Sequence, residues 1–468
     1  MGRASAGKGC GVVRGDGPGP QPHRRGREWD QGPPHGVPRV RHLPGRLVGY
    51  LVRRIAPAIA LACLVALALL LRVQVICRRR SGRRPRLVWG PDSIINIKYW
   101  SSALQARGYQ STTCVFDVSS INTRLDFDRH RDEFLPRFLF GELFHDYAIF
   151  AWALRSADVF MFFLDGGFLR WTPLRNLEAQ LLKLAGRRLV VFPYGADIAV
   201  PGFLGPAEEA LLRDYPQIAE TADAVTERVD YFARWADVMI RNYQYGYLPR
   251  ADILWPTILA IDTDEWSEVP ASASGREGTP IVVVHAPNHR HIKGTDRLIE
   301  VVDELRSEGI EIELQVIEGR PNQEVRDAVR AADIVGDQFI AGYAMFAIEG
   351  MAAGKPVLSA LAWMDSVVLE TEAMRACPIV DVNLETLKDE LRRLATDARA
   401  RSELGAAGRR FAMHYHSYEA VGDGWEAILD HVWRGAPLPR ELPPVAQPPA
   451  AAERSASRHS TTERSPSI

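Results

Sequence analysis

The region that most restricts the possible fold lies between residues 281 and 361. It opens with four β-branched apolar residues, Ile-Val-Val-Val at 281–284, a pattern typical of a buried strand. A basic loop follows at residues 285–294, and apolar residues then recur at helical spacing. Further strands are predicted at 312–317, 333–339 and 357–361, with helices at 322–332 and 344–353 between them. Strands that alternate with helices predict an open parallel α/β sheet with helices on both faces.

The basic loop has the features of an anion site. Ligands of open parallel sheets bind beyond the carboxyl ends of the strands, and Lys293 and Gly342 both fall there. Thr295 and Asp296 are good helix-capping residues, so the pattern predicts a helix that begins beside the loop. Its free N–H groups, together with the charges of Arg290 and Lys293, would suit a phosphate or diphosphate.

The preceding region, from residue 86 to residue 262, has the pattern of a second open α/β unit. Strands are predicted at 87–90, 112–117, 158–164, 188–193 and 236–241, and helices at 94–107 and 138–155. Polar residues follow three of these strands, at 90–92, 165–167 and 194–197. In the last of these loops Asp197 is a candidate active-site acid, although an aspartate in a loop also serves often as a helix cap.

An apolar segment near the amino terminus indicates a membrane helix. Residues 55–71 are seventeen residues without a charge, and the apolar character continues through Ile76. With its flanking arginines this segment is long enough to span a bilayer, although a helix that lies in the interface, or a buried core helix, remains open. Arginines are somewhat more numerous after the segment than before it, which favours a membrane-anchored protein with a cytoplasmic catalytic part.

The rest of the composition separates the chain into segments. The arginine-rich leader lacks interleaved aromatic residues, so membrane proximity explains it better than nucleic-acid binding does. The five cysteines show neither metal-ligand spacing nor a disulfide framework, which fits a reducing compartment. The predicted organisation is a disordered leader at 1–46, a membrane helix at 47–77, a first α/β domain at 86–262, a second α/β domain at 263–416, a helix at 417–434 and a disordered tail at 435–468.

Together, these features resemble the glycosyltransferases of the GT-B fold, and family 4 in particular. The likeness depends on the tandem α/β units, on the sequence Pro-Asn-His-Arg-His-Ile-Lys-Gly at 287–294, and on the segment 341–357. It implies two Rossmann-like domains that face a cleft, with a nucleotide-sugar donor on the second domain and a glycan or lipid-linked acceptor on the first. It also implies transfer with retention of anomeric configuration, without a metal or other cofactor.

Several positions match the family motif individually. Lys293 falls on the lysine that meets the donor diphosphate, and Glu349 falls on the second glutamate of the family's pair, which binds the nucleotide ribose. The family's usual arginine position is occupied by Asn288, so Arg290 is expected to take over that charge. The first glutamate of the pair is replaced by Ala341.

The remaining site residues follow from the same resemblance. Backbone N–H groups around Gly342 are expected to contact the donor sugar in place of the missing glutamate. Tyr194 and Asp197 lie in a loop of the first domain where the family often has histidine at the tyrosine position, and they are the expected catalytic residues. His285, His289 and His291 are expected to shape the basic loop rather than to bind a metal.

Two other classes of function are an oxidoreductase and a non-catalytic binding module. An oxidoreductase would need a Gly-x-Gly-x-x-Gly turn after a first strand, and neither candidate loop has one. The stronger alternative is a membrane-tethered module that binds a nucleotide sugar or glycan without turning it over, because Ala341 replaces an expected carboxylate. The favoured hypothesis is a hexosyltransferase-like enzyme of polysaccharide biosynthesis.

Overall fold

A computed structural model describes residues 46–119, 122–134, 141–266 and 279–442. The predicted disordered leader lies outside these residues except for Arg46, and so does the tail beyond residue 442. Within the described part, the chain forms two separate parallel sheets, each flanked by helices.

The first sheet has seven strands in the order β3-β2-β1-β4-β5-β6-β7, and every neighbouring pair is parallel. The strands are β1 (Leu87–Trp89), β2 (Ser111–Val115), β3 (Arg129–His130), β4 (Val159–Phe163), β5 (Arg188–Phe192), β6 (Val238–Arg241) and β7 (Ile253–Leu254). The order in which the chain adds strands to the sheet reverses at β1: β2 and β3 are added on one side of it, and β4 to β7 on the other. Loops after β1 and β4 therefore diverge and leave a crevice at their carboxyl ends.

The second sheet has five parallel strands in the order β12-β11-β10-β8-β9. The strands are β8 (Ile281–His285), β9 (Ile312–Val316), β10 (Ile334–Gly336), β11 (Val357–Ser359) and β12 (Val380–Asp381). In this sheet the order of strand addition reverses at β8, with β9 on one side of it and β10 on the other, and we call this place the β8–β10 reversal. The predicted fold class, two Rossmann-like parallel-sheet domains in tandem, is confirmed.

Fifteen α-helices connect or cover the strands of the described part. They are α1 (Arg46–Arg80), α2 (Asn96–Ala106), α3 (His145–Ser156), α4 (Glu178–Leu184), α5 (Glu208–Asp214), α6 (Gln217–Trp235), α7 (Arg290–Lys293), α8 (Thr295–Ser307), α9 (Asn322–Ala331), α10 (Met345–Ala352), α11 (Ser366–Leu369), α12 (Glu372–Arg375), α13 (Leu387–Thr396), α14 (Ala398–Tyr415) and α15 (Tyr418–Leu429). Shorter 3-10 turns lie at Arg124–Asp126, Arg131–Phe134, Gly141–Phe144, Arg175–Leu177, Ala196–Ile198, Gly205–Ala207 and Leu361–Trp363, and a π-turn at Asp430–Arg434.

The last long helix returns to the first domain and joins the two halves. Trp425 of α15 is fully buried, with its ring 4.9 Å from Trp89 and 5.4 Å from Trp100, measured between centroids. Aromatic side chains bury large apolar areas, so this cluster holds α15 firmly against α2 and β1. The carboxyl-terminal segment thus stabilises the first domain, although it follows the second domain in the chain.

Three features differ from the sequence-based prediction. The 19-residue helix α6 was not predicted, and its buried residues Ile218, Val225, Val229 and Phe232 recur at helical spacing. The two-residue edge strands β3 and β7 are too short to produce an alternating pattern. Residues 290–293, which were predicted as loop, form the single helical turn α7.

Candidate active site

A cavity of about 320 Å³ lies between the two sheets, at their carboxyl edges. Its walls come from the loops after β5 and β6 on one side and after β8, β10 and β11 on the other. The residues that line it include Tyr194, Gly195, Ala196, Gln244, Lys293, Ala341, Tyr343 and Trp363. The predicted basic loop therefore faces the space between the domains, since Asn288, His289 and Ile292 also contribute to this wall.

Lys293 lies in the cavity wall, and its charge is paired. Its Nζ donates to Oδ1 of Asp337 at 2.8 Å, and the two side chains are 9% and 0% exposed. The other oxygen, Oδ2 of Asp337, accepts from the backbone N–H of Ala344 at 2.7 Å. This ion pair spans the β8–β10 reversal, the place where a ligand of this sheet is expected. An ammonium group has three N–H donors, and since Asp337 is its one partner within the described ranges, two remain for a ligand.

The structure separates Arg290 from Lys293, so the two cations that are predicted to bind one diphosphate have different surroundings. The Arg290 side chain is 41% exposed and pairs with Glu318 at 3.1 Å and with Asp296 at 3.5 Å. It does not belong to the cavity lining. The cause is local: α7 turns the two side chains in different directions, toward surface acids and toward Asp337.

His285 organises the start of the basic loop. It is fully buried at the end of β8, and its two ring nitrogens bond to the carbonyl of Gly336 and to the hydroxyl of Thr295, each at 2.8 Å. Burial lowers its pKa to about 4, so the ring is neutral at physiological pH. Its predicted role in shaping the loop is confirmed. The capping role predicted for Thr295 is wrong, because its hydroxyl bonds to this histidine and Gly294 takes the N-cap position.

Gly342 holds the loop after β10 in a left-handed conformation, with φ of +61°. Its carbonyl accepts from Oγ of Ser359 at 2.6 Å, and a Cβ at this position would stand 3.3 Å from the ring of Trp363. A side chain would be strained there for both reasons. The neighbouring Ala341 and Tyr343 line the cavity, so the position of the missing family glutamate presents a methyl group to it.

Glu349 lies on α10, about one turn from the start of the helix, and is 9% exposed. Burial raises its pKa to about 8, an effect that the positive charge of Arg326 opposes. Arg326 itself pairs with Glu265 at 2.7 Å. Glu349 has no ion-pair partner among the described residues; a buried carboxyl of this kind is costly to ionise, and such groups are concentrated at functional sites.

Replacing Glu349 with glutamine is expected to stabilise the free protein above neutral pH. The folded-state pKa lies above the unfolded value, so the wild type loses stability as the pH rises from about 4.5 through about 8. Glutamine removes this loss, and we expect a gain of up to about 4 kcal/mol at pH 8. Chemical denaturation at several pH values measures the difference. Glu403→Gln, in an exposed helical pair with Arg399, is the matched control.

Asp197 of the first domain is not among the residues that line the cavity, whereas a catalytic acid would contact the substrate there. It is fully buried and accepts from the backbone N–H groups of Leu164, Tyr194 and Gly195, each at 2.9 Å. Burial, with the nearby charge of Asp165, raises its pKa to about 8. Its two oxygens therefore hold the loops after β4 and β5 together, and the backbone of the second loop borders the cavity.

Tyr194 does reach the cavity, and its hydroxyl donates to Asp165. Asp165 in turn pairs with Arg228 at 3.0 Å. Burial raises the pKa of the tyrosine well above its usual value, so the phenol stays protonated. Asp165 lies in one of the polar loops that the sequence pattern singled out, but Arg228 is on the unpredicted helix α6 and could not be assigned from sequence.

Part of the cavity wall carries polar atoms that lack a partner. Among the described residues, no group bonds to Oε1 of Gln244, the hydroxyl of Tyr343 or Nε1 of Trp363, all buried. These groups belong to the loops after β6, β10 and β11, and the ring of Tyr243 stacks on that of Tyr343 with 5.3 Å between centroids. Buried polar groups usually have partners, so this wall suits a ligand with hydroxyl or amide groups.

Comparison with known proteins gives structural similarity alone. No family model matches the sequence, and no curated protein matches it. HepE from Anabaena, solved in complex with UDP, aligns with a TM-score of 0.49 and 14% identity over 74% of this chain and 99% of that one. Sucrose-phosphate synthase from Thermosynechococcus elongatus aligns at 0.48 and 13%, over 76% and 100%. The glycosyltransferase SnogD from Streptomyces nogalater aligns at 0.39 and 14%, over 74% and 100%.

Proposed function

We propose that the chain is a glycosyltransferase that moves a sugar from a nucleotide-sugar donor to a glycan or lipid-linked acceptor. The observation that carries the proposal is the buried Lys293–Asp337 pair, which borders an interdomain cavity at the β8–β10 reversal. A cation fixed at that position suits a donor diphosphate. The first domain then presents the acceptor from the opposite wall.

The chemistry of the reaction accounts for these residue types. Cleavage of the bond between sugar and phosphate leaves a diphosphate anion and a sugar ring with oxocarbenium character. Lys293 stabilises the growing negative charge because Asp337 has fixed it in place before the reaction. We assign Glu349 to the donor ribose, because its carboxyl group can donate one hydrogen bond to the neighbouring hydroxyls and accept others from them. Backbone N–H groups around Gly342 are assigned to the donor sugar.

On the acceptor wall, we assign the polar contact to Tyr194 and a positioning role to Asp197. The three backbone bonds of Asp197 fix the loop on which Tyr194 stands. Transfer with retention and without a metal follows from the resemblance to family 4, and it forms part of the proposal. We further propose that the protein is held at a membrane by residues 47–77, with the catalytic domains on the cytoplasmic side.

The competing function is a module that binds a nucleotide sugar without turning it over. Ala341 favours it, because the cavity wall has a methyl group where the family has a carboxylate. The deciding experiment incubates the full chain with a panel of radiolabelled nucleotide sugars, after thermal shift has identified the donor that binds. Release of free nucleotide supports the transferase. Binding of intact donor without any release supports the binding module.

A further inference from the structure

Helix α1 has one face packed against protein and one face exposed. Its inward residues, Ala60, Leu64, Ala68 and Leu71, are buried in the core that includes α3 and α4. The outward residues are large and apolar and remain exposed: Ile55, Ile59, Leu69, Leu70, Val73 and Ile76. Residues 55–80 are apolar and long enough to cross a membrane, and 28% of the most apolar window is buried against the protein.

Arginines fix the carboxyl-terminal end of α1 to the first domain. Arg78 pairs with the fully buried Asp158 at 3.1 Å, and Arg79 donates to the carbonyl of Trp433 at 3.0 Å. Arg72 donates to the carbonyl of Leu184 at 3.4 Å. These contacts, together with the packed inward face, show that α1 belongs to the domain along most of its length.

We infer that α1 lies in the plane of an anionic membrane surface and does not cross the bilayer. A spanning helix with this packing would carry the polar surfaces of α3 and α4 into the hydrocarbon, where unsatisfied groups are costly. The helix is also about 52 Å long, against about 30 Å for the hydrocarbon core. Its outward face has the breadth and apolar character of interfacial helices.

The charge of the segment identifies the surface as anionic lipid. No aspartate or glutamate occurs between residues 31 and 91, whereas Arg72, Arg80, Arg83 and Arg84 are exposed around the end of α1. Basic residues beside an apolar helix face are attracted to anionic headgroups. A second copy of the chain would place these arginines against one another, so a lipid surface fits better than self-association.

The orientation of α1 brings the lipid surface to the carboxyl edge of the first sheet, the edge at which the cavity lies. Its end contacts residues that precede β4 and β5, namely Asp158 and Leu184, at the amino edge of the sheet. It also contacts the turn Gly141–Phe144, which precedes α3 and therefore lies at the carboxyl edge. The helix thus runs from one edge of the sheet to the other. This step rests on the proposed function. A lipid-linked acceptor then reaches the carboxyl edge of the sheet, where the cavity lies, without leaving the membrane surface.

Two native cysteines test the inference directly. Cys63, in the middle of α1, and Cys77, near its end, are both exposed. Two variants of the full chain are made, each with Cys10 and one of these two cysteines replaced by serine. The remaining cysteine of α1 is labelled with a fluorophore, and vesicles of phosphatidylglycerol and phosphatidylcholine are then added. Quenchers placed near the headgroups or near the acyl-chain ends then report depth. We expect both labels at the same shallow depth. A deep Cys63 with a shallow Cys77 would show a spanning helix and overturn the inference.

Substitution of the outward face provides the second test. Leu70→Glu should reduce vesicle binding by about tenfold, because it places a charge in the apolar face. Leu125→Glu is the matched control, since Leu125 is 95% exposed and lies on a turn away from α1. Unchanged binding of the Leu70 variant, or a soluble dimer that ignores vesicles, would also overturn the inference. Donor hydrolysis by the same preparation without vesicles tests the proposed function separately.

Discussion

Replacing Lys293 with methionine is expected to weaken binding of a nucleoside diphosphate by about 1.5–3 kcal/mol, which is roughly tenfold to more than hundredfold. Methionine preserves much of the apolar stem and removes the ammonium group that faces the cavity. Turnover should fall as well, because the same charge stabilises the departing diphosphate. Isothermal titration calorimetry measures the affinity, and release of labelled nucleotide measures the turnover.

Two further variants separate the role of the charge from damage to the loop. Lys293→Met leaves the buried Asp337 without its cation, so Lys293→Met combined with Asp337→Asn removes both charges and should lose affinity equally. Arg290→Met removes the other cation of the loop, which faces surface acids, and should leave affinity unchanged. An equal loss in the Arg290 variant, or no loss in the Lys293 variant, would contradict the assignment of the diphosphate site.

This contrast between the two cations shows where sequence reasoning reaches its limit. Spacing alone placed both Arg290 and Lys293 directly after a strand, which is correct. The direction of each side chain depends on α7, a single turn too short to leave a periodic pattern. Asp337 was missed for a related reason, because residues 333–339 were predicted as one strand, whereas β10 ends at Gly336 and leaves Asp337 at the site.

Prediction succeeded where the pattern was long and local. The strands and helices of the second domain follow from continuous apolar runs and helical spacing, and the structure has them within a few residues of the predicted bounds. In the first domain, the carboxyl-end loops were identified, but the bonds of Asp197 and the Arg228–Asp165 pair join residues far apart in sequence. Such pairings depend on tertiary packing, which periodicity does not encode.

The arginines that follow the apolar segment 55–71 also have a role in the structure that their pattern in the sequence does not reveal. Counted along the sequence, they are the flanking charges of a membrane segment. In the structure, Arg78 and Arg86 converge with Arg187 on one carboxylate, that of Asp158, at 3.1, 3.1 and 2.7 Å. The charges therefore attach α1 to the domain. The stability of this attachment can be measured through Asp158 itself.

Replacing Asp158 with asparagine is expected to destabilise the protein by about 3–5 kcal/mol at neutral pH, because it leaves buried Arg187 without a counter-charge. Denaturant unfolding measures this loss, and Asp132→Asn, which breaks an exposed pair with Arg124, should cost at most about 0.5 kcal/mol.

The stability difference between the wild type and the Asp158→Asn variant should depend on pH in a specific way. Burial raises the pKa of Asp158, but bonds from Arg86 and the charges of Arg86 and Arg187 outweigh it, so the net pKa is lowered. A carboxyl with a lowered folded-state pKa contributes stability above its unfolded value, near 3.9, and loses that contribution as the pH falls through the folded value. The deficit of the asparagine variant should therefore be constant near neutrality and shrink only in strong acid. A deficit that already disappears between pH 7 and pH 5 would mean that Asp158 is not held ionised by its arginines, and that its ion pair with Arg78 does not fix α1 to the domain.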